Sequence, residues 1–203
     1  MAGWKDGGDY IKPTLSIIIP CKNEPDIHSM MTETEAFCPK AQIIVSSDQQ
    51  GRGKGWALRQ GVEHAKGEYI CFIDGDLDIS PYYIAKFKQI LDHDSSVHVV
   101  IGHKPLSGDW TRKLITFCSR LFIGTLFGLW IDTQTGIKMF RRECLPSWAD
   151  DSFAFDLEIL SKCKAQGFKI REYPVTVSIR KKMPGSSILR FIKGALKIWL
   201  RLR

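Results

Sequence analysis

The chain has 203 residues, 44% hydrophobic and 25% charged, which suits one compact globular domain with a real core and is too short for two. No stretch reaches the roughly 18 to 20 uninterrupted apolar residues of a membrane span, and residues 1–13 lack the apolar centre of a secretory signal. The formal charge is +7, yet residues 180–203 carry eight Lys/Arg and no acid, against 21 basic and 22 acidic residues elsewhere. The surplus is therefore a local polyanion-binding signal at the C-terminus.

Six cysteines (Cys21, Cys38, Cys71, Cys118, Cys144, Cys163) are scattered with no Cys-x-x-Cys pair, and several lie in apolar runs. Buried thiols in a reducing cytosolic setting fit this better than a disulfide scaffold or a zinc site. The five histidines have no metal-ligand spacing and read as structural.

In chain order, Leu15–Pro20 is a short continuous apolar run, the mark of a strand buried on both faces. Gln42–Ser46, Glu68–Ile73 and Val97–Ile101 repeat the pattern. Between them, Trp56–Lys66 sets Leu58, Val62 and Ala65 on one helical face, with Gly67 as its expected stop. Ser80-Pro81 opens a second helix that carries Ile84, Phe87 and Leu91. Strands alternating with helices predict an α/β fold around a largely parallel sheet.

The third strand runs into Asp74-Gly75-Asp76-Leu77-Asp78. Three acids after a buried strand are costly unless a cation neutralises them. If the backbone stays extended, residues two apart project to the same side and converge on one divalent ion. The carboxyl ends of strands in an open α/β sheet are also where ligands bind. A calcium EF-hand loop would need Gly at its sixth position and Glu at its twelfth, where this chain has Ile79 and Ala85. Hard oxygen ligands point instead to Mg²⁺ or Mn²⁺ on a substrate's phosphates. The run Gly51-Arg52-Gly53-Lys54-Gly55 matches neither the Walker loop nor the dinucleotide fingerprint. It remains a Gly-rich turn with two cations at a helix start, able to approach a diphosphate.

Five blocks in order resemble the family 2 glycosyltransferases of GT-A fold, especially the dolichyl-phosphate and polyprenyl-phosphate mannose and glucose synthases. They are Ser16–Glu24, with its Pro-x-x-Asn-Glu, Arg52–Gly61, the Asp-x-Asp run, Asp132–Phe140 and Phe155–Leu160. The likeness covers about residues 15–187. It implies a GT-A catalytic domain over 1–179, transferring a hexose with inversion from a GDP- or UDP-sugar to a polyprenyl or dolichyl phosphate. It implies donor contacts from Pro20, Cys21, Asn23, Glu24, Asp48, Lys54, Asp74, Gly75 and Asp76, and a Mg²⁺ or Mn²⁺ held by Asp74, Asp76 and Asp78. Lys104, Arg112, Lys182, Arg180 and Ser187 would meet the acceptor phosphate. Asp74, Asp76 and Asp156 are the implied catalytic acids. An acid near Asp156 and Glu158 serves as general base in relatives that glycosylate hydroxyls, whereas a phosphate acceptor needs none.

Two other readings stay open, transfer to a glycan hydroxyl and a non-catalytic membrane-associated GT-A module. One departure from the family pattern is that Ser46–Gln50 leads almost directly into Gly51, as though a helix and a strand were missing. In the tail, 180–203, Arg190, Lys193, Lys197 and Arg201 recur at helical spacing, with Leu189, Ile192, Leu196, Trp199 and Leu200 largely opposite. This predicts an interfacial helix and a cytoplasmic protein peripheral on the membrane, with no nucleic-acid partner. The apolar run Ile115–Ile131, interrupted by Arg120, is either a membrane-dipping element or a core helix.

Overall fold

The computed structural model describes residues 13–22, 24–105, 110–152, 154–178 and 186–202, with side chains described except at 111–116 and 186–190. Asn23, Arg180 and Lys182 lie outside the described residues. Strands β1 (Leu15–Cys21), β2 (Gln42–Ser47), β3 (Tyr69–Ile73), β4 (Val99–His103), β5 (Ile137–Arg141) and β6 (Ile170–Pro174) form one sheet of order β2-β1-β3-β5-β4-β6. Helices α1 (Ile27–Phe37), α2 (Lys54–His64), α3 (Tyr82–His93), α4 (Trp110–Phe127), α5 (Phe155–Ala165) and α6 (Ser186–Leu202) connect and flank it.

The four expected strands are present. The continuous apolar character of β1, β3 and β4 follows from burial on both faces, whereas β2 is only partly buried. Ile18, Ile70, Phe72 and Phe140 pack on one side with Leu58 of α2 and Phe155 and Leu157 of α5. Ile17, Ile19, Cys71, Ile73 and Met139 pack on the other with Ile84, Phe87 and Leu91 of α3. Only β5 runs against its neighbours, antiparallel to both β3 and β4. The other five strands share one direction, so their carboxyl ends lie along one edge of the sheet.

Local chemistry corrects two boundaries. Helix α2 ends at His64 rather than Lys66, because the Lys66 and Gly67 amides are taken by Ser16 Oγ at 3.1 and 2.8 Å. Gly67 is there for close approach rather than as a left-handed stop, since a Cβ on it would lie 2.5 Å from the Ser16 nitrogen. The fourth strand begins at Val99 rather than Val97, where its pairing with Ile170 starts.

The shortened stretch after β2 has a simple consequence. The chain passes from Ser47 to α2 in six residues, and β2 is left as the edge strand, with Val45 exposed. Cys71, Cys144 and Cys163 are buried, and burial pushes the Cys163 thiol up to about 12. Ile115–Ile131 falls on α4 and the turn after it. Ile123 and Leu129 join the core while Phe117 and Leu121 stay exposed. Among the described residues, no helix is long and apolar enough to cross a membrane.

Helix α6 begins at Ser186 and lies on the domain. Ala195 and Ile198 are buried and Phe191 packs against the core. Ile192, Leu196 and Leu200, three members of the expected apolar face, are exposed beside exposed Lys193 and Lys197. The packing face is thus a third one, turned from exposed Ile192, Leu196 and Leu200 and bordered by Arg201 of the cationic strip, which reaches Glu158.

Candidate active site

The shared strand direction brings Pro20 and Cys21 (end of β1), Asp48 (after β2), Asp74–Asp78 (after β3) and Lys104 (after β4) to one edge of the sheet. Gly75 sits within van der Waals reach of Ile19, Ile27 and the Pro20 carbonyl. Asp48 is buried and receives the amides of Arg52 and Gly53 at 2.9 and 2.8 Å. Burial works upward on its carboxyl. The Gly53 and Arg52 hydrogen bonds and the Lys22 charge outweigh this and hold it below the usual range. Both of its oxygens are engaged in shaping the Gly-rich turn.

That turn is tightly confined. Gly53 has φ +123°, and a Cβ there would lie 2.1 Å from the Asp151 carbonyl oxygen. On Gly55 it would meet the Asp150 carbonyl oxygen at 2.4 Å. The Gly55 amide donates to Asp151 O at 3.0 Å, and Trp148 Nε1 donates to Gly55 O at 3.0 Å. Lys54 is thereby aimed at the carboxylates. Its ammonium forms an ion pair with Asp74 Oδ1. Burial opposes the Lys54 charge, but Asp74, Asp156 and Asp76 outweigh it and hold the ammonium above its ordinary value.

The expected extended carboxylate run is corrected. Leu77 has φ +57° and the Asp78 amide donates to Asp76 Oδ1 at 3.1 Å, so the backbone turns. Asp74, Asp76 and Asp78 therefore do not converge by strand alternation, and among the described residues no three acids, histidines or cysteines form a ready ligand set. Asp74 faces Lys54 instead. The chemistry of the turn still fits a cation. Asp78 Oδ1 is buried without a hydrogen-bond partner. Burial first, then the charges of Asp74, Asp78 and Glu24, pushes the Asp76 carboxyl up, offset in part by the Asp78 amide. This is an anion cluster short of positive charge, made of the hard oxygens that Mg²⁺ and Mn²⁺ take.

Strand β5 closes the far side. The Asp74 amide donates to Gly136 O at 3.1 Å, and a Cβ on Gly136 would lie 2.4 Å from Asp74 Oδ2. Two residues on, buried Lys138 pairs with buried Asp156 Oδ1 at 3.0 Å and donates to Thr135 O at 2.6 Å. Burial pushes the Asp156 carboxyl up despite Lys138 and Lys54. Lys138 carries no role in the sequence reading. Its signal was a lone Lys within an apolar strand, Ile137-Lys138-Met139-Phe140, since lysine is almost never fully buried unless paired.

Among the residues expected to meet an acceptor, Lys104 is exposed, and its amide donates to Asp132 Oδ2 at 3.1 Å. Arg120 Nη2 lies 3.0 Å from His103 Nδ1. The same His103 Nδ1 lies 3.5 Å from Glu172 Oε1. Arg112 and Ser187 fall on α4 and α6, with side chains outside the described ones. The Ser178 amide donates to Asp78 O at 2.8 Å, so the segment leading toward Arg180 and Lys182 crosses the acidic turn.

Glu158, left without a settled role by the sequence, is fully buried. It accepts from the amides of Ala149 (3.2 Å) and Asp150 (3.0 Å), from Lys162 Nζ (2.8 Å) and from Arg201 Nη1 (3.4 Å). Burial works upward, but Lys162 and the two amides hold its carboxyl below the ordinary value. A depressed carboxylate adds stability above its unfolded pKa of about 4.3, and this is lost as pH falls through the folded value. Glu158→Gln should therefore lower the melting temperature at pH 7 and flatten its fall below about pH 4.5. Thermal melts between pH 7 and pH 3 check this, and parallel curves for the two proteins would refute it.

This sheet order, with binding loops at one edge, is that of a GT-A nucleotide-diphospho-sugar transferase. Residues 28–147 match the model for "Glycosyl transferase family 2", and the chain belongs to that family. It is 26% identical to a dolichyl-phosphate beta-glucosyltransferase of Dictyostelium discoideum, over 91% of this chain and 62% of that one. A namesake from Saccharomyces cerevisiae is 26% identical over 66% of this chain and 47% of its own. The chain thus spans about half to three-fifths of these relatives. Glucosyl-3-phosphoglycerate synthase from Mycobacterium tuberculosis, in complex with Mn²⁺ and UDP-glucose, shares the fold with TM-score 0.74 at 17% identity. The match covers 92% of this chain and 79% of that one.

Proposed function

We propose that this chain is a metal-dependent inverting hexosyltransferase that moves glucose from UDP-glucose to a dolichyl or polyprenyl phosphate. The carrying observation is the junction of a confined Gly-rich turn, Lys54 and a cation-deficient acidic turn at one sheet edge. Glucose is favoured over mannose because both dolichyl-phosphate relatives above are glucosyltransferases, and UDP over GDP because the similar fold is solved with UDP-glucose.

In this reading Pro20, Cys21, Asn23 and Glu24 take the base and ribose side of the donor, with Gly75 giving close access. The Gly53 and Gly55 turn and Lys54 meet the diphosphate. Asp76 and Asp78, with Asp74 once Lys54 turns to the diphosphate, would hold Mg²⁺ or Mn²⁺, which when bound supplies positive charge for the leaving group. An acceptor phosphate oxygen attacks the anomeric carbon opposite the diphosphate. The new C–O bond forms as the old one breaks, and UDP departs with that electron pair. Lys104, Arg112, Arg180, Lys182 and Ser187 orient the acceptor phosphate. That phosphate is already an anion, so no proton has to be removed. Asp156, paired with Lys138, then attracts the Lys54 ammonium and is no general base.

The lipid acceptor suits the outer surface of α6. Ile192, Leu196 and Leu200 form an exposed apolar strip next to Lys193 and Lys197, the pairing of an interfacial helix on anionic lipid. The domain assignment follows, with 1–179 catalytic and 180–203 a membrane-interface element.

An assay of UDP-glucose, UDP-galactose and GDP-mannose against a short polyprenyl phosphate with Mn²⁺, with and without anionic vesicles, tests the reading. Glucosyl transfer lost on chelation and raised by vesicles is expected. Transfer only to a glycan hydroxyl, abolished in Asp156→Asn, would replace it. No nucleotide-dependent melting shift under any condition would leave a non-catalytic module.

A further inference from the structure

A segment that is buried at Trp148, Asp150 and Ala154 and exposed at Ala149 and Ser152 lies between α6 and the Gly-rich turn. On one side, the Asp150 and Asp151 carbonyl oxygens stand where a Cβ on Gly55 or Gly53 would fall, and Asp151 O accepts the Gly55 amide at 3.0 Å. Asp151 is further held by Arg59 of α2, whose Nη1 donates to Trp148 O at 3.1 Å. On the other side, a Cβ on Gly194 of α6 would lie 2.9 Å from the Ala154 Cβ and 3.7 Å from Ser152 Oγ. Beneath both, the Glu158 carboxylate binds the Ala149 and Asp150 amides and reaches Arg201 of α6. Neither interface has room for one extra methyl group, so the segment cannot move against α6 without moving against the turn.

We propose that Glu158 and Gly194 are positioning residues through which the seating of α6 sets the conformation of the turn that carries Lys54. The coupling rests on contiguous packed contacts and shared hydrogen bonds, the physical means by which two sites influence each other. It builds on the donor-site reading above for its consequence. A helix that touches lipid on its outer strip then tunes nucleotide binding on its inner face. Binding of donor and contact of α6 with a bilayer favour each other reciprocally.

The test uses the full chain with Gly194→Val, which wedges α6 from Ala154, and Arg201→Ala, whose side chain is partly exposed and whose loss leaves the core intact. Hydrogen exchange of the Gly55 amide is read without ligand, with the Asp74 amide on Gly136 O as internal control. UDP affinity is read by calorimetry with Mn²⁺. Both variants should exchange Gly55 about tenfold faster with the control unchanged, and bind UDP about tenfold more weakly, while Arg201→Lys restores both. Unchanged Gly55 exchange in Arg201→Ala, or equal acceleration of the control, overturns the proposal. If the wild-type chain binds neither UDP nor GDP while Gly55 exchange still responds selectively, the coupling stands and the donor assignment falls.

Discussion

Replacing Asp76 by asparagine should lower glycosyl transfer by at least about two orders of magnitude while leaving the melting temperature unchanged or slightly raised. Asp76 lies on the turn after β3, where burial and the charges of Asp74, Asp78 and Glu24 push its carboxyl up. In the unliganded protein that charge is a burden, so a neutral isostere relieves repulsion. With a nucleotide diphosphate present the same charge is needed, because two anionic groups meet there and only a cation between them makes the contact favourable. Initial rates with UDP-glucose, thermal melts and Mn²⁺ titration read the three consequences separately. Normal turnover in the variant with metal chelated would refute the assignment. Destabilisation by several degrees would mean that Asp76 serves the fold.

Lys138→Met should cost about 3–5 kcal/mol of stability, the penalty for leaving a buried partner charge unpaired. Lys138 and Asp156 are both buried and 3.0 Å apart, and methionine nearly matches the lost volume. Adding Asp156→Asn should recover part of the loss, since a neutral amide no longer needs the cation, so the double variant is more stable than Lys138→Met alone. Denaturant unfolding of wild type, both single variants and the double variant measures this coupling. Additive losses would mean that the two residues act independently. The pair also sits beside Lys54, so Lys138→Met should weaken donor binding even at temperatures where it is folded.

The site differs in how it could be read. The apolar runs from Leu15, Glu68 and Val97 are local signals, because a strand buried on both faces is apolar at every position, whereas the run from Gln42 forms a half-exposed edge strand. The acids after Ile73 were equally visible, since charge next to such a run demands a reason. The left-handed turn at Leu77 was not, because a leucine gives no sign of positive φ, and an extended run was the natural expectation. Antiparallel β5 carries no strand signal of its own direction, which depends on pairing with β3 and β4 rather than on its own residues.

Helix α6 shows the same division. Its cationic and apolar strips follow from spacing alone. Which strip meets the domain depended on a third face, Phe191, Ala195 and Ile198, whose partners come from α5 and the segment before it.

By itself the sequence determined an α/β chain with acids at the end of its third strand, a Gly-rich turn with two cations and a basic amphipathic tail. Each is written in neighbouring residues through periodicity, charge and glycine placement. Tertiary structure alone decided that Lys54 faces Asp74, that Lys138 pairs with Asp156, and that Glu158 joins Arg201 of α6 to the Ala149 and Asp150 amides. The physical reason is range. Those partners are brought together by strand order and close packing, and residues 18 to 43 positions apart carry no local mark of meeting.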